Sequence, residues 1–288
     1  MSENRITYKI SFSEYSAFKQ CPHKWYLNNI VRLPSEINEE LIFGQIVHKS
    51  IESIVTKPMF KKQMFWEGII KNHLKNEIEQ IKDINYLTKF NGSGLAFVFV
   101  KQAMDILKEL NFYIRFEEYE VIKVEHQLDG IPLVSFDNVD FVFKGFIDLV
   151  LRHKKTGRYL VIDWKTSRKK WDITKKMKDN EDFFTQLGLY KHFYSETMNV
   201  DKQNIDVKFF NLPREEPKEM APYHGSLNDT YIEYLVKSIK DVCKEIYEHK
   251  PWELRKIKHH SKKNFCHRCN FNVENLCNDV DEYQILSI

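Results

Sequence analysis

The sequence lacks any apolar run of the roughly 20 residues that a membrane-spanning helix needs, and its longest, Leu95–Val100, is far shorter. Residues 1–5 are polar and contain no apolar segment of the kind found in secretory signals. We therefore expect an intracellular protein of a reducing compartment, the cytoplasm (or the host cytoplasm if the chain is virus-encoded), with no membrane partner. Glycine and proline are scarce, at 9 and 8 residues, which excludes collagen-like and low-complexity chains.

The chain also lacks a strong net charge, because 44 Lys and Arg nearly balance 41 Asp and Glu and leave +3. Such a balance neither indicates nor excludes a nucleic-acid partner. The length of 288 residues, 42% of them hydrophobic, is enough for one large domain or two ordinary ones. The five cysteines are an odd number without a secretory signal, so they do not indicate a disulfide framework and need another role.

Helix-period and strand-period patterns follow one another in an order typical of an α/β or α+β fold. Ser13 is predicted to cap a short helix that ends at Cys21–Pro22. Further predicted helices cover 39–55, most of 59–118, 181–198 and 229–249, and predicted strands cover 119–127, 139–152, 158–166 and 205–212.

Residues 144–166 predict a β-hairpin that sets two aspartates side by side. The polar turn ends at Gly157, which can take a positive φ, and a turn centred between 155 and 156 pairs residues whose numbers sum to 311. Asp148 is then opposite Asp163, and Lys165 shares their face because side chains alternate along a strand.

Two carboxylates placed opposite each other on a sheet repel, and a divalent cation between them would compensate. Hard oxygen ligands favour Mg²⁺ or Mn²⁺, and Lys165 would project beside the metal towards a bound anion. The tripeptide alone is uninformative, because acid-x-Lys occurs four times in this chain, at 163–165, 206–208, 216–218 and 248–250. On the residues alone, ordinary surface charges remain the alternative.

These residues resemble the motifs of the PD-(D/E)XK nuclease superfamily, specifically its RecB-like exonucleases and the fourth CRISPR-associated Cas nuclease. The segment 145–150 is similar to the second motif of the family, and 162–166 is similar to the third. His48 resembles a histidine that RecB-like members carry on an early helix as a further metal ligand. The segment 186–190 resembles the later Gln-x-x-x-Tyr helix.

The resemblance spans most of the chain and implies a restriction-endonuclease-like fold, a central mixed β-sheet flanked by helices. It implies a single nuclease unit over 1–288, with the catalytic sheet core at 119–212. The segment 59–118 carries no matching motif and is expected to be a helical insertion.

The resemblance further implies a metal-dependent DNA exonuclease that acts on single strands or duplex ends. Lys165 would stabilise developing negative charge or orient the attacking water. Gln186 and Tyr190 share a helix face and would contact a phosphate or orient the lysine. The implied metal ligands are His48, Asp148, Asp163 and the backbone carbonyl of Trp164.

Plainer readings of these residues stay open. His48 is one of 11 histidines and lies on an amphipathic helix, although Gly44 would let that helix approach another backbone closely. The rival functions are an endonuclease, including prespacer trimming with CRISPR integration partners, and a non-catalytic nucleic-acid-binding or assembly subunit with a vestigial site. Protein partners would come from recombination, repair, replication or CRISPR adaptation.

Three cysteines, Cys266, Cys269 and Cys277, form a C-x₂-C-x₇-C cluster, and Cys21 stands far upstream. This split resembles the iron–sulfur nucleases of the same superfamily, in which four thiolates hold a [4Fe–4S] cluster. The last family spacing is usually shorter. Cys243 lies in a predicted amphipathic helix and is expected to be a core thiol.

Structural Zn²⁺ is the alternative occupant, because four thiolates also suit tetrahedral zinc and nearby histidines could substitute. Those histidines are His259, His260 and His267. Either metal would join the segment 13–30 to 250–288, and the expected role is structural.

Two stretches are strongly basic, 165–178 and 250–263, and each contains a tryptophan, Trp171 and Trp252, on which a base could stack. Solvated surface is the alternative for such runs. The DNA-binding candidates are Arg168, Lys169, Lys170, Trp171, Lys175 and Lys176.

Overall fold

The structure is a computed structural model that describes residues 5–33, 38–57, 62–114, 116–172, 182–224 and 227–248, with Cys269 and Phe271. Contacts divide the chain into two compact units. The first comprises Met1–Glu36, Leu128–Gly145 and Asp229–Ile288, and the second comprises Ile37–Gln127 and Phe146–Asn228. The expectation that 1–288 acts as a single nuclease unit stays a prediction.

A mixed β-sheet of six strands confirms the predicted fold class. The strand order is β1-β3-β4-β5-β6, with β2 pairing to β3, and β1–β3 and β4–β5 are parallel while β3–β4 and β5–β6 are antiparallel. The strands are β1 (Ile6–Ser11), β2 (Tyr119–Phe136), β3 (Val139–His153), β4 (Tyr159–Ser167), β5 (Ile205–Pro213) and β6 (Ala221–His224).

Helices flank this sheet, and those predicted at 39–55, 181–198 and 229–249 are present within one or two residues of their predicted ends. The region 59–118 is largely helical, as predicted. The helices are α1 (Phe12–Gln20), α2 (Pro22–Tyr26), α3 (Glu39–Thr56), α4 (Trp66–Glu79), α5 (Ile84–Gly92), α6 (Leu95–Tyr113), α7 (Asp182–Met198) and α8 (Asp229–Glu248).

The cap predicted at Ser13 was wrong, because the cap is Ser11 and α1 begins two residues earlier. The Ser11 hydroxyl accepts a hydrogen bond of 3.2 Å from the backbone N–H of Glu14, whose carboxylate accepts one of 2.7 Å from the Ser11 backbone. This reciprocal capping box satisfies two helix-end N–H groups, and it requires an acid three residues after the cap. Ser11 has that acid at Glu14, whereas Ser13 has Ser16 at the corresponding position.

In the second unit, one core joins α3, α4 and α6 to one face of β3, β4 and β5. The apolar stripe of α3, which includes Phe43 and Ile46, packs with Trp164 and Phe210 from the strands, and all four are buried. Burial of such large side chains stabilises by roughly 1.5–3 kcal/mol each. This packing fixes α3 against β4.

In the first unit, β1 runs parallel to the first part of β3, and α1 packs against α8. A buried hydrogen bond of 2.8 Å joins the hydroxyls of Tyr15 and Ser238. Cys243 is fully buried, which confirms the predicted core thiol, and burial raises the pKa of the Cys243 thiol to about 12.

Among the described residues, no helix combines the length and the apolar character that crossing a membrane requires.

Candidate metal centre and active site

The β3–β4 hairpin has the register that its turn predicts. Residues 149–152 pair with 159–162 so that the numbers of each pair sum to 311. Gly157 has a φ of +71°, the left-handed conformation that glycine adopts without steric cost. Extended by one residue on each strand, this register sets Asp148 opposite Asp163.

Asp148 on β3 is held from two sides. Its Oδ2 accepts a hydrogen bond of 2.6 Å from the backbone N–H of Trp164 on β4. Its Oδ1 lies 3.4 Å from Nδ1 of His48 on α3. The structure therefore brings together three of the residues predicted from sequence, from three different elements.

Gly44 allows α3 to approach β4 at this point, as predicted. A Cβ atom added to Gly44 would lie only 2.9 Å from Oγ1 of Thr166, closer than real Cβ contacts allow. Because Gly44 is one helical turn before His48, this close approach helps to bring the imidazole to Asp148.

Glu125 on β2 completes a group that can hold a metal ion. One ligand atom each from His48, Glu125 and Asp148 lies within 4.8 Å of the others. The sequence predicted a strand over 119–127 but gave Glu125 no role, because its spacing does not distinguish it from neighbouring acids. Its φ of +46° is left-handed and breaks the strand alternation that could have shown where its side chain points.

Burial and the closeness of other carboxylates raise the pKa values of two acids in this site, Glu125 and Asp163. Loss of hydration, and then the charge of Asp148, raises the pKa of Glu125 to about 7. Asp163 is almost fully buried, and this burial raises its pKa to about 6 although Lys165 acts in the opposite direction. A divalent cation would relieve both effects, so the donor set fits such an ion.

Asp163 is not one of the three residues that converge in this group, and its Oδ2 pairs with Nζ of Lys165 at 2.7 Å. Burial alone would lower the pKa of Lys165, but the charges of Asp163 and Asp148 outweigh it and raise that pKa. Burial likewise acts to lower the pKa of His48, and its hydrogen bond to Asp148 raises it on balance. Lys165 thus stays cationic at the edge of the site.

Gln186 and Tyr190 share one face of α7, as predicted, and both are buried. Nε2 of Gln186 donates a hydrogen bond of 2.9 Å to Oη of Tyr190. The backbone N–H of Phe146 on β3 also bonds to this phenol. Burial, and then the nearby charge of Asp163, raises the pKa of Tyr190. The pair therefore links α7 to the strand that carries Asp148.

A cleft of about 520 Å³ opens over the metal group. Asp163, Gln186 and Tyr190 are not among its lining residues. Its walls are formed by Glu40, Leu41, Gly44, Gln45, His48, Lys49, Glu52, Glu125, Asp148, Trp164, Lys165 and Thr166.

The described DNA-binding candidates of the first basic stretch do not line this cleft. Arg168 pairs with Glu215 at 2.5 Å and Lys170 with Glu219 at 2.8 Å, which offsets part of their charge. Lys169 is exposed, and the Trp171 ring lies 6.2 Å from that of Phe209. Lys175, Lys176 and Trp252 lie outside the described residues.

Two of the four predicted cluster cysteines are described. Cys21 is partly exposed, and its Sγ accepts a hydrogen bond of 3.4 Å from the backbone N–H of Lys24 at the start of α2. Cys269 is also partly exposed and belongs to the same unit as Cys21. Outside the described residues are Cys266, Cys277, His259, His260 and His267.

The mixed sheet carries two neighbouring aspartates with a lysine beside them. A His-Glu-Asp group that can hold a metal ion lies next to them. This combination is that of a nuclease-type α/β protein. The sequence profile of the PD-(D/E)XK nuclease superfamily matches residues 9–277. The chain belongs to this superfamily.

The fold also resembles a solved structure, the crystal structure of a protein named "Putative exonuclease" from Eubacterium rectale. The TM-score is 0.52 at 14% sequence identity, and the likeness covers 93% of this chain and 88% of that one. At this identity the likeness concerns the fold. No curated protein matches the chain in sequence.

Proposed function

We propose that this protein is a metal-dependent DNA exonuclease that hydrolyses phosphodiester bonds of single strands or DNA ends. The observation that carries the proposal is the convergence of His48, Glu125 and Asp148 within 4.8 Å, beside the Asp163–Lys165 pair. Membership of a nuclease superfamily supports the reaction class. The name of the similar Eubacterium rectale protein supports the choice of exonuclease.

The metal would be Mg²⁺ or Mn²⁺, held by His48, Glu125 and Asp148, with Asp163 and the carbonyl of Trp164 as further ligands implied by the family motif. Two carboxylates suit either cation, and an imidazole favours the softer Mn²⁺. When bound, such an ion supplies Lewis-acid stabilisation of the phosphate and lowers the pKa of a bound water.

The lysine contributes independently of the metal. Lys165 lines the cleft, and the buried carboxylate of Asp163 fixes its ammonium group at 2.7 Å. A preorganised cation of this kind stabilises the negative charge that develops on a phosphate oxygen during attack, or it orients the attacking water. Gln186 and Tyr190 act as positioning residues, because Tyr190 bonds to the backbone of Phe146, two residues before Asp148 on β3, and Gln186 bonds to Tyr190.

The cysteines are proposed to hold a [4Fe–4S] cluster through Cys21, Cys266, Cys269 and Cys277, with structural Zn²⁺ as the alternative. Two of these proposed ligands, Cys21 and Cys269, belong to one compact unit although they are 248 positions apart in the sequence, 269 − 21. A thiolate cluster would tie these distant segments together, which stabilises the fold mainly by constraining the unfolded chain.

The process served is proposed to be recombination, repair, replication or CRISPR adaptation in the cytoplasm, which fits a RecB-like or Cas-like nuclease. The basic stretches at 165–178 and 250–263 would contact the DNA backbone. Because phosphate contacts release counterions, DNA affinity should then fall steeply as salt rises, and a flat salt profile would count against these contacts.

End-labelled single-stranded and double-stranded DNA, linear and closed circular, tests the function in the presence of Mn²⁺ or EDTA. We expect metal-dependent shortening of linear substrates from an end. Asp148→Asn keeps the shape of the side chain but removes the charge, so it should be inactive. Cleavage of closed circles would replace the exonuclease by an endonuclease, and no cleavage of any substrate would favour a binding subunit.

A further inference from the structure

A second cavity, of about 510 Å³, lies at the ends of β4 and β5 where these strands begin. Tyr159 begins β4, and Lys165 is six residues further along the same strand. At a rise of about 3.3 Å per residue, the cavity is therefore about 20 Å from the lysine of the candidate active site. It is nearly as large as the cleft over the metal group but is lined by different residues.

The charge of this cavity is positive. Three cationic side chains line it, Arg158, Lys191 and Lys208, against one carboxylate, Asp206. That carboxylate already accepts two hydrogen bonds from Arg158, at 2.6 and 2.9 Å. With 3 − 1 = +2 formal charges among its lining residues, the cavity attracts anions.

Lys208 is partly buried on β5, which is an unusual position for a cation. Burial lowers its pKa, and the charge of Asp206 only partly offsets this. A cation that has lost part of its hydration gains more from an anionic ligand than an exposed one does. Lys208 therefore supports an anion site on energetic as well as geometric grounds.

His153 supplies a further hydrogen-bond donor to the same cavity. Its Nδ1 accepts a hydrogen bond of 3.2 Å from the backbone N–H of Thr156, so the proton of the neutral ring is on Nε2. The ring of Tyr119 meets the imidazole edge-on, with 5.2 Å between centroids, and steadies its orientation. Nε2 can then donate a hydrogen bond to a phosphate oxygen.

Two tyrosine rings, Tyr119 and Tyr159, also line the cavity. Aromatic faces contact nucleobases, and lysine and arginine contact phosphates, so the two kinds of side chain together match a nucleotide. The volume falls in the range of about 300–1,000 Å³ that is typical of small-molecule pockets. We propose that this cavity is a nucleoside-phosphate site, filled by a free nucleotide or by one residue of a nucleic-acid strand.

Binding in EDTA tests this site without any dependence on nuclease activity. The probes are 2′-deoxyadenosine 5′-monophosphate, deoxyadenosine, and a fluorescent oligothymidylate. The dissociation constant of each probe should be measured for the wild type, for Lys191→Gln/Lys208→Gln and for the charge-matched control Lys82→Gln/Lys101→Gln. Loss of two charge-assisted contacts should weaken binding by about tenfold or more in the first variant and leave the control unchanged.

The probe whose binding weakens in the double variant shows whether the cavity takes a free nucleotide or one residue of a nucleic-acid strand. Weaker binding of the monophosphate alone identifies a free-nucleotide site, and weaker binding of the oligonucleotide alone identifies a strand-binding site. The proposal is overturned if neither affinity changes, or if deoxyadenosine binds as tightly as its monophosphate. If the double variant does not fold, as judged by circular dichroism, Lys191→Gln alone carries the same comparison.

Discussion

The carboxylate of Asp148 accepts a hydrogen bond of 2.6 Å from the backbone N–H of Trp164, across the β3–β4 hairpin. One carboxylate oxygen is thereby committed to the neighbouring strand, and the other points to His48 at 3.4 Å. A carboxylate fixed in this way needs little reorganisation to act as a metal ligand. The hairpin thus both supplies and positions this proposed metal ligand.

Replacing Lys165 by methionine tests its catalytic role. The stem of the side chain is kept but the ammonium is lost, so we expect cleavage to fall by about 10²–10³-fold or more. Asp163 loses its partner in this variant, so the pKa of its carboxyl should rise further. We expect Asp163 to become protonated, and the protein to stay folded. Cleavage rates together with circular dichroism separate the two effects.

The matched control for this variant is Lys218→Met, which changes another acid-x-Lys tripeptide of the chain, Glu216-Pro217-Lys218. It should retain wild-type activity. Full activity of the Lys165→Met variant would remove the lysine from the proposed mechanism.

The raised pKa of Glu125, about 7, predicts how stability depends on pH. Between about pH 4.5 and 7 the metal-free folded protein binds a proton that the unfolded chain has released, so the free energy of unfolding falls as pH rises. Asp163, with a pKa of about 6, acts in the same direction over the lower part of this range. A divalent cation replaces these protons, so it should stabilise more at about pH 8 than at about pH 5.5.

Thermal unfolding with Mn²⁺ and with EDTA at both pH values measures this effect. Glu125→Gln should flatten the pH dependence of the metal-free protein and reduce the metal-induced rise in Tm. Glu120→Gln, an exposed acid on the same strand, is the control. Equal metal-induced shifts in all three proteins would exclude Glu125 as a ligand.

The parts of the site that sequence predicted are those set by local rules. The hairpin register follows from one turn and from strand alternation, and the close approach at Gly44 follows from the missing side chain. Glu125 could not be found in this way. It reaches His48 and Asp148 through tertiary packing, from a strand whose left-handed residue breaks alternation.

Two short strands were not predicted from the sequence. In β1 the apolar residues Ile6, Tyr8 and Ile10 alternate with polar ones, which is a strand pattern, but the pattern covers only six residues and only Ile10 is buried. Its pairing with β3 joins residues more than 120 positions apart, which no local pattern indicates. β6 has four residues and contains a proline, which is typical of a turn or an edge strand.

A serine scan tests the proposed cluster. Cys21→Ser, Cys266→Ser, Cys269→Ser and Cys277→Ser should each reduce the iron and acid-labile sulfide of protein purified without oxygen, and lower its visible absorbance. Cys243→Ser is the control. The Cys243 thiol lies on the buried face of α8, so this substitution should not change the iron content. Stoichiometric zinc in a colourless protein would establish the alternative metal.

Tyr190→Phe tests whether α7 positions β3. Removing the phenol oxygen leaves Nε2 of Gln186 buried without this acceptor, which should cost about 1–3 kcal/mol of stability. If the pair orients the strand that carries Asp148, kcat should fall while KM for DNA changes little. Gln186→Leu/Tyr190→Phe should cost less than the sum of the single variants, and strict additivity in urea unfolding would contradict the coupling.

Gly44→Ala tests whether the contact between α3 and β4 places His48. In an ordinary helix this change stabilises by about 0.5–1 kcal/mol, and we expect that gain for the control Gly68→Ala, where an added Cβ meets nothing within 4 Å. At Gly44 the new Cβ would clash with Oγ1 of Thr166, so it should destabilise the protein and weaken Mn²⁺ binding by displacing His48 from Asp148. Gly44→Ala/Thr166→Ala removes the clash and should restore both properties. Equal stabilisation by Gly44→Ala and Gly68→Ala, with unchanged Mn²⁺ affinity, would show that α3 does not need this close contact.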